Sequence, residues 1–295
     1  MGSNVGDYPE AGRQQVEGRL RLHFSIDRER QTRLMVHEQR PPLQVIRAFP
    51  ISTGGALAHV HNISGGVLGG DQLKLEVEVE PGALAQLTST GATRLYRSRP
   101  GVPAAQQTGT ITVREGALLE YLPDPLIPFA GSCYHQHMHI ELDSGAGLFW
   151  WETVAPGRVA QGEQFAYEQL LLDLNISTQG RSIAIERLKL EPHCRALSSL
   201  ARLGPYSHFC SFYICRVGLE AVHWSTLEKE LGALAQELSC PGEISWGVST
   251  LVAHGLVMRA VSRQGRDIPP GLLTFWRAAK RYLYDEEPVP PRKIY

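Results

Sequence analysis

Residues 59–97 read HVHNISGGVLGGDQLKLEVEVEPGALAQLTSTGATRLYR. Two Gly-Gly pairs, Gly65-Gly66 and Gly69-Gly70, precede Asp71, after which Leu73, Leu75, Val77 and Val79 alternate with Lys74, Glu76, Glu78 and Glu80. Successive side chains of a strand point to opposite faces, so this period of two predicts a strand with one face in a core and the other in water. Pro81-Gly82-Ala83-Leu84 then turns the chain into a Ser/Thr-rich segment. No helical period runs through the stretch, and the fold it predicts is mainly β.

The same alternation appears upstream, where Leu20, Leu22, Phe24 and Ile26 interleave with Arg19, Arg21, His23 and Ser25. Further strand patterns cover residues 107–115, 117–122, 134–142, 148–154, 165–176, 183–190 and 207–217, separated by Gly, Pro and Asp turn chemistry. Glu115-Gly116-Ala117-Leu118 resembles the segment at Pro81, which reads as two uses of one hairpin turn. Such reuse points to a large stacked, solenoid-like or sandwich β body, with a few α-helices in the C-terminal half. Ser225-Thr226-Leu227-Glu228 has the form of a capping box ahead of Leu231, Leu234, Ala235 and Leu238, and Cys240-Pro241-Gly242 closes that helix. Pro269-Pro270 opens a second, carrying Leu272, Leu273, Trp276, Ala279 and Leu283. Residues 196–203 read as a third, short helix. The expected organisation is a disordered tail over 1–17 and one domain over 18–295. Within it lie a β body to about residue 220, a helix-decorated part over 221–284 and a Pro-rich charged tail over 285–295.

With 295 residues and 43% hydrophobic content, the chain is long enough to bury a sizeable core. A net charge of −1 and a pI near 6.8 give no general attraction to nucleic acid or anionic membrane, so neither is expected as a partner. Cys133, Cys194, Cys210, Cys215 and Cys240 form no C-x-x-C pair, and the N-terminal residues contain no apolar signal region. A cytoplasmic location is expected.

The glycines at 65, 66, 69 and 70 invite comparison with a phosphate loop, but Asp71-Gln72 stands where such a loop needs Lys-Ser/Thr. The reading that remains is a structural turn capped by Asp71. His135, His137 and His139 share one face of a predicted strand with Glu141 and Cys133. They could hold a divalent ion, or simply form the solvated side of a half-buried strand. The outer two histidines stand about 13 Å apart along an extended chain, too far to share an ion without bending. His59 and His61 are a second such pair. No nucleophile with an orienting base is evident, and Asp124, Glu152 and Glu163 are the carboxylates that suggest a buried role. An enzyme reading would be a metal-dependent hydrolase built on His135, His137 and Glu141; the absence of any other catalytic signature favours a non-enzymatic protein.

Several segments together resemble one family, the urease accessory protein UreD, called UreH in some bacteria. They are Asn62 through Asp71, with Gly65, Gly66, Gly69 and Gly70; Pro81-Gly82-Ala83; Leu87 through Arg97, with Arg94, Tyr96 and Arg97; Gly116 through Pro125, with Glu120 and Asp124; Gly157-Arg158; and Gly162-Glu163. In this order and spacing the resemblance extends from about Gly18 to the Trp276 helix. It implies an assembly chaperone that binds the urease apoprotein and, with UreF and the GTPase UreG, supports nickel insertion into the dinuclear urease site, the ion passing through a tunnel in the UreD-like subunit. No tightly bound cofactor is implied, only nickel in transit. Where members tend to have Ser-Arg-Tyr, this chain has Ser132-Cys133-Tyr134, so no metal role transfers to Cys133, His135 or His137. Unpaired sheet edges and apolar partner-facing helices predict poor solubility in isolation.

Overall fold

The computed structural model describes residues 16–291. Most of the tail expected over 1–17, and the last four residues, lie outside them. The chain begins with β1 (Glu17–Ile26) and its antiparallel neighbour β2 (Thr32–Arg40); short β3 (Leu43–Gln44) and β4 (Ala48–Pro50) lead to β5 (Ala56–Asn62). It then alternates between two sheets. β6 (Gln72–Val79) joins the first, and β7 (Leu84–Ser89) with β8 (Thr93–Leu95) the second; β9 (Ala105–Val113) and then β10 (Leu118–Tyr121) with β11 (Leu126–Pro128) repeat the step. β12 (Cys133–Leu142) and β13 (Gly147–Val154) make it once more, before β14 (Gln169–Thr178) and β15 (Arg181–Leu190) complete the first sheet. β16 (His208–Arg216), β17 (Ile244–Thr250) and β18 (Gly255–Ser262) complete the second, with α1 (Ala221–Leu238) inserted after β16 and α2 (Ile268–Tyr284) following β18.

The first sheet has seven strands in the order β15-β14-β12-β9-β6-β1-β2, and the second has eleven, with β17-β18-β16-β13-β10-β7-β5-β3 as its main path. Within each, the alternating strands pair in parallel with their equivalents in the next coil, β6 with β9 and β9 with β12, β7 with β10 and β10 with β13. The body is therefore a stacked β coil, mainly β as the patterning predicts. The turns at Gly82 and Gly116 are not hairpins, because the strands on either side go to different sheets. They are corners of the coil, and Ser144-Gly145-Ala146 is a third copy. All three glycines have positive φ, at 71°, 64° and 70°, where a Cβ would be strained. The corners stack by backbone bonds: Gly82 N–H donates to the Glu115 carbonyl and Gly116 N–H to that of Ser144, both at 3.0 Å.

Inward residues of both sheets make one core, including Leu22, Phe24, Val77, Leu87, Ile140 and Trp150. The other face of the larger sheet, with Leu118, Phe149 and Phe212, buries the two helices through Trp224, Leu227, Leu231, Phe275, Trp276 and Leu283. A sheet covered on both faces loses the alternation, and β13 is apolar almost throughout for that reason. The first helix starts at Ala221, one turn before the expected box. Ser225 is thus interior and its hydroxyl donates to the Ala221 carbonyl at 3.2 Å instead of capping. The second helix carries its prolines in the first turn, as expected. Residues 196–203 form successive turns and not a helix, and the strand expected from Phe165 starts at Gln169, since Phe165 adopts φ 54°. All five cysteines are free. Among the described residues no helix is long and apolar enough to cross a membrane.

Candidate functional site: a chambered passage between the sheets

The glycine-rich loop is locked onto the segment after β8. Val67 N–H donates to the Arg94 carbonyl and Tyr96 N–H to that of Val67, each at 2.8 Å, while the Asn62 amide donates to the Gly66 carbonyl at 3.0 Å. A Cβ on Gly66 would sit 2.4 Å from the Tyr96 ring and 2.6 Å from the Arg94 carbonyl, so close approach is what requires glycine there. Asp71 is buried and accepts from Leu68 N–H at 2.9 Å, and burial pushes its carboxyl up. It caps the turn, and the amides of Gly65, Val67, Leu68 and Asp71 are given to protein acceptors.

Other residues singled out in the sequence gather beside this loop. Tyr96 meets Phe129 edge-on, the Arg158 guanidinium lies 4.3 Å from the same ring, and Arg158 pairs with Glu163, which also accepts from Ala130 N–H at 3.1 Å. Arg97 donates weakly to the Ala130 carbonyl at 3.4 Å. These groups brace three connections at one end of the coil. Asp124 is fixed by Ser89, whose hydroxyl donates to its carboxylate at 2.9 Å and accepts its N–H at 2.7 Å. Glu120 points the other way, to the helix layer, where its carboxylate is enclosed by Lys280, Trp276 and Gln86.

From the glycine-rich loop, a row of chambers sharing walls runs inward between the sheets. The first, about 270 Å³, is lined by Gly65, Gly66, Thr90, Arg94, Gln107 and Tyr121. Gln107 and Tyr121 also line a second of about 40 Å³, which holds Asp124, Gln136, Trp150 and Glu152. Glu152 in turn faces a third, about 20 Å³, with Leu172, Leu188, Phe209 and Glu186. Glu186, Leu188, Phe209 and Ser211 are shared with a fourth, about 630 Å³, which opens among Arg195, Arg202, Arg259 and Glu191. The two middle chambers have room for only one or a few waters, since a single water needs about 10–15 Å³. A small ion can be accommodated there only after losing most of its hydration shell.

The constriction is polar where the core is otherwise apolar. The Gln136 amide donates to Glu152, and Tyr134 O–H reaches the side-chain oxygens of Gln107 at 2.9 Å and Gln136 at 3.2 Å. Glu186 accepts from Tyr213 O–H at 2.6 Å and Ser211 O–H at 3.1 Å, with the Arg259 guanidinium at 3.4 Å. Burial pushes the Glu152 carboxyl up to about 7, with Gln136 opposing and Glu186 adding to the rise. An acid that holds its proton more tightly when folded contributes stability that is full below its ordinary value of 4.5 and is lost as the pH rises through about 7. Glu152→Gln should therefore flatten the dependence of stability on pH between 5 and 8 and raise stability most at pH 8, measured as paired denaturant midpoints at both pH values. A midpoint difference between variant and parent that does not change with pH would contradict this.

The five residues considered for metal lie elsewhere. Cys133, His135 and His137 line the outer, solvated face of β12, where His137 pairs with Asp173 at 3.0 Å and His135 meets Gln169. His59 is buried edge-on against Phe49, and burial lowers the His61 imidazole. Among the described residues no three-ligand group includes any of them. Gln136 and Glu186 join the site only in the fold; the sequence signal for Gln136 is a polar residue at an inward position among Tyr134, Met138, Ile140 and Leu142.

The family described as UreD urease accessory protein matches residues 16–294. A UreD urease accessory protein of Herpetosiphon aurantiacus is 48% identical over 96% of this chain and 98% of its own length. One from Deinococcus radiodurans is 35% identical over 66% of this chain and 70% of its own. A Staphylococcus aureus protein of the same description is 25% identical over 93% and 96%. Matched from its first β-strand to beyond its last helix, the chain belongs to the UreD family of urease accessory proteins.

Proposed function

We propose that this chain is a cytoplasmic, non-enzymatic urease-maturation factor that conducts nickel between partner proteins through the passage between its sheets. The observation that carries the reading is the row of carboxylates along that passage, Asp124, Glu152 and Glu186, in a chain that matches the family over nearly its whole length. Nickel stands high in the divalent affinity order, so an all-imidazole cage would retain it, while single oxygen ligands hold and release it. A buried carboxylate that is protonated when empty avoids an isolated charge in the core; an arriving cation displaces the proton and is neutralised in turn.

UreF, UreG and the urease structural subunits are the proposed partners, with GTP hydrolysed in UreG. That division of labour fits a glycine loop with Asp71-Gln72 where a phosphate loop needs Lys-Ser/Thr. The hydrolase alternative is less well supported, since His135, His137 and His139 spread along an open strand with Asp173 and Gln169 as neighbours. Life within a complex also accords with exposed apolar side chains such as Ile46, Leu200 and Val252. Co-expression of the urease subunits, UreF and UreG with and without this chain is the test. Nickel content and urease activity should fall together when the chain is omitted; equal values in both cases would refute the proposal.

A further inference from the structure

The outer face of the seven-stranded sheet holds a second set of groups, outside the passage. His23 on β1 lies opposite Glu78 on the parallel neighbour β6, with Glu80 just beyond the strand end. The His23 ring stands between the two carboxylates, Nδ1 at 3.7 Å from one oxygen of Glu78 and Nε2 at 3.6 Å from one of Glu80. These separations are too long for hydrogen bonds. Each is close to the edge of a coordination polyhedron, because metal–ligand bonds of about 2.0–2.2 Å place neighbouring ligand atoms about 3.0–3.6 Å apart; a single ion takes only one of the two ring nitrogens. One ligand atom from each of the three residues can be chosen so that all lie within 4.8 Å of one another.

The surroundings orient this set. The Arg114 guanidinium donates to the other oxygen of Glu78 at 2.6 and 3.0 Å, leaving Oε2 toward His23. Such an outer partner fixes the direction of a ligating carboxylate. His37 on β2 meets the His23 ring edge-on with centroids 5.2 Å apart, which puts a second imidazole at the rim.

We propose that His23, Glu78 and Glu80 form an exchangeable surface site for a borderline divalent cation, Ni²⁺ or Zn²⁺. One imidazole with two carboxylates suits these ions, and three protein ligands leave positions for water. The nearby positive charges of Arg114 and Arg21 keep the site weak.

Equilibrium dialysis of the full-length chain, purified as a fusion to a soluble carrier protein with the carrier alone as blank, against NiCl₂ and against ZnCl₂ with Mg²⁺ in excess, tests this. The parent is compared with His23→Ala, Glu80→Gln and a passage variant, Glu152→Gln with Glu186→Gln; matched circular dichroism spectra confirm folding. His23→Ala should lose one bound equivalent, Glu80→Gln should weaken that equivalent several-fold, and the passage variant should keep it. Unchanged stoichiometry and affinity in His23→Ala, or a loss confined to the passage variant, would overturn the proposal.

Discussion

Glu120→Ala is expected to destabilise the fold by about 3–5 kcal/mol, the range for removing one partner of a buried ion pair. Glu120 and Lys280 are among the few buried charged residues, and their closest approach is 2.9 Å. The carboxylate also accepts from the Trp276 indole at 3.1 Å and from the Gln86 amide at 2.7 Å. Gln86 further donates to the Val289 carbonyl at 3.2 Å, so a single acid ties the central sheet to α2 and to the segment after it. Its removal leaves the Trp276 indole N–H without its acceptor and the buried Lys280 ammonium with only the Glu286 carboxylate at 3.8 Å, while Gln86 keeps the Val289 carbonyl; stranding these groups is costlier than the loss of the contacts themselves. Lys280→Met in the Glu120→Ala background should recover part of the loss, because the buried ammonium, then held by Glu286 alone, is gone. Urea unfolding of the parent, both single variants and the double variant measures the coupling. Additive single effects would contradict the account, since independent sites add and members of one network do not.

Glu152→Gln is expected to slow nickel delivery about tenfold or more, the counterpart of about 1.4 kcal/mol or more on the barrier, while the variant stays folded. The amide keeps the shape and an acceptor for Gln136, but it cannot ionise when a cation reaches the narrowest part of the passage. An unneutralised ion at that depth is disfavoured by several kcal/mol. The same change should stabilise the chain above pH 7, so stability and delivery move in opposite directions. A simple folding defect would lower both. Glu152→Asp, which restores the ionisable group one methylene short, should recover part of the delivery rate. Nickel per urease, read by metal analysis at matched accessory-protein abundance, gives the comparison, and unchanged nickel loading in Glu152→Gln would refute a role for this carboxylate in transit.

The strands facing water on one side were legible, because Leu20 to Phe24 and Leu73 to Val79 keep a clean alternation, although Ile26, the last apolar residue of the first series, is exposed at the strand end. The coil itself was half visible in the repeated Gly-Ala at 82–83 and 116–117, but a local segment does not say whether its strands pair with each other or with the next coil. β7 was harder to read: Leu84–Ser89 is buried on both faces, so its alternation is lost. The β17–β18 hairpin was missed for a local reason, since its turn puts His254 at φ 58°, a position usually signalled by Gly, Asn or Asp. Among site residues, Asp71 was legible as a cap because its role is set within four residues. The passage was not, for it exists only where Thr93, Gln136, Glu152, Glu186 and Phe209 meet from strands distant in the chain. Of its carboxylates, Asp124 and Glu152 suggest a buried role in the sequence and Glu186 does not. Gln136 and Glu186 gain their meaning from the neighbours that the fold supplies.

Anomalous X-ray diffraction at the nickel edge, from crystals of the accessory complex soaked in NiCl₂, addresses the central claim most directly. The account predicts nickel density inside the chain, between the two sheets and within coordinating distance of Glu152 or Glu186, which disappears in the Glu152→Gln, Glu186→Gln variant. Nickel found only on the outer sheet face or in partner subunits, with the passage holding water alone at saturating nickel, would contradict it.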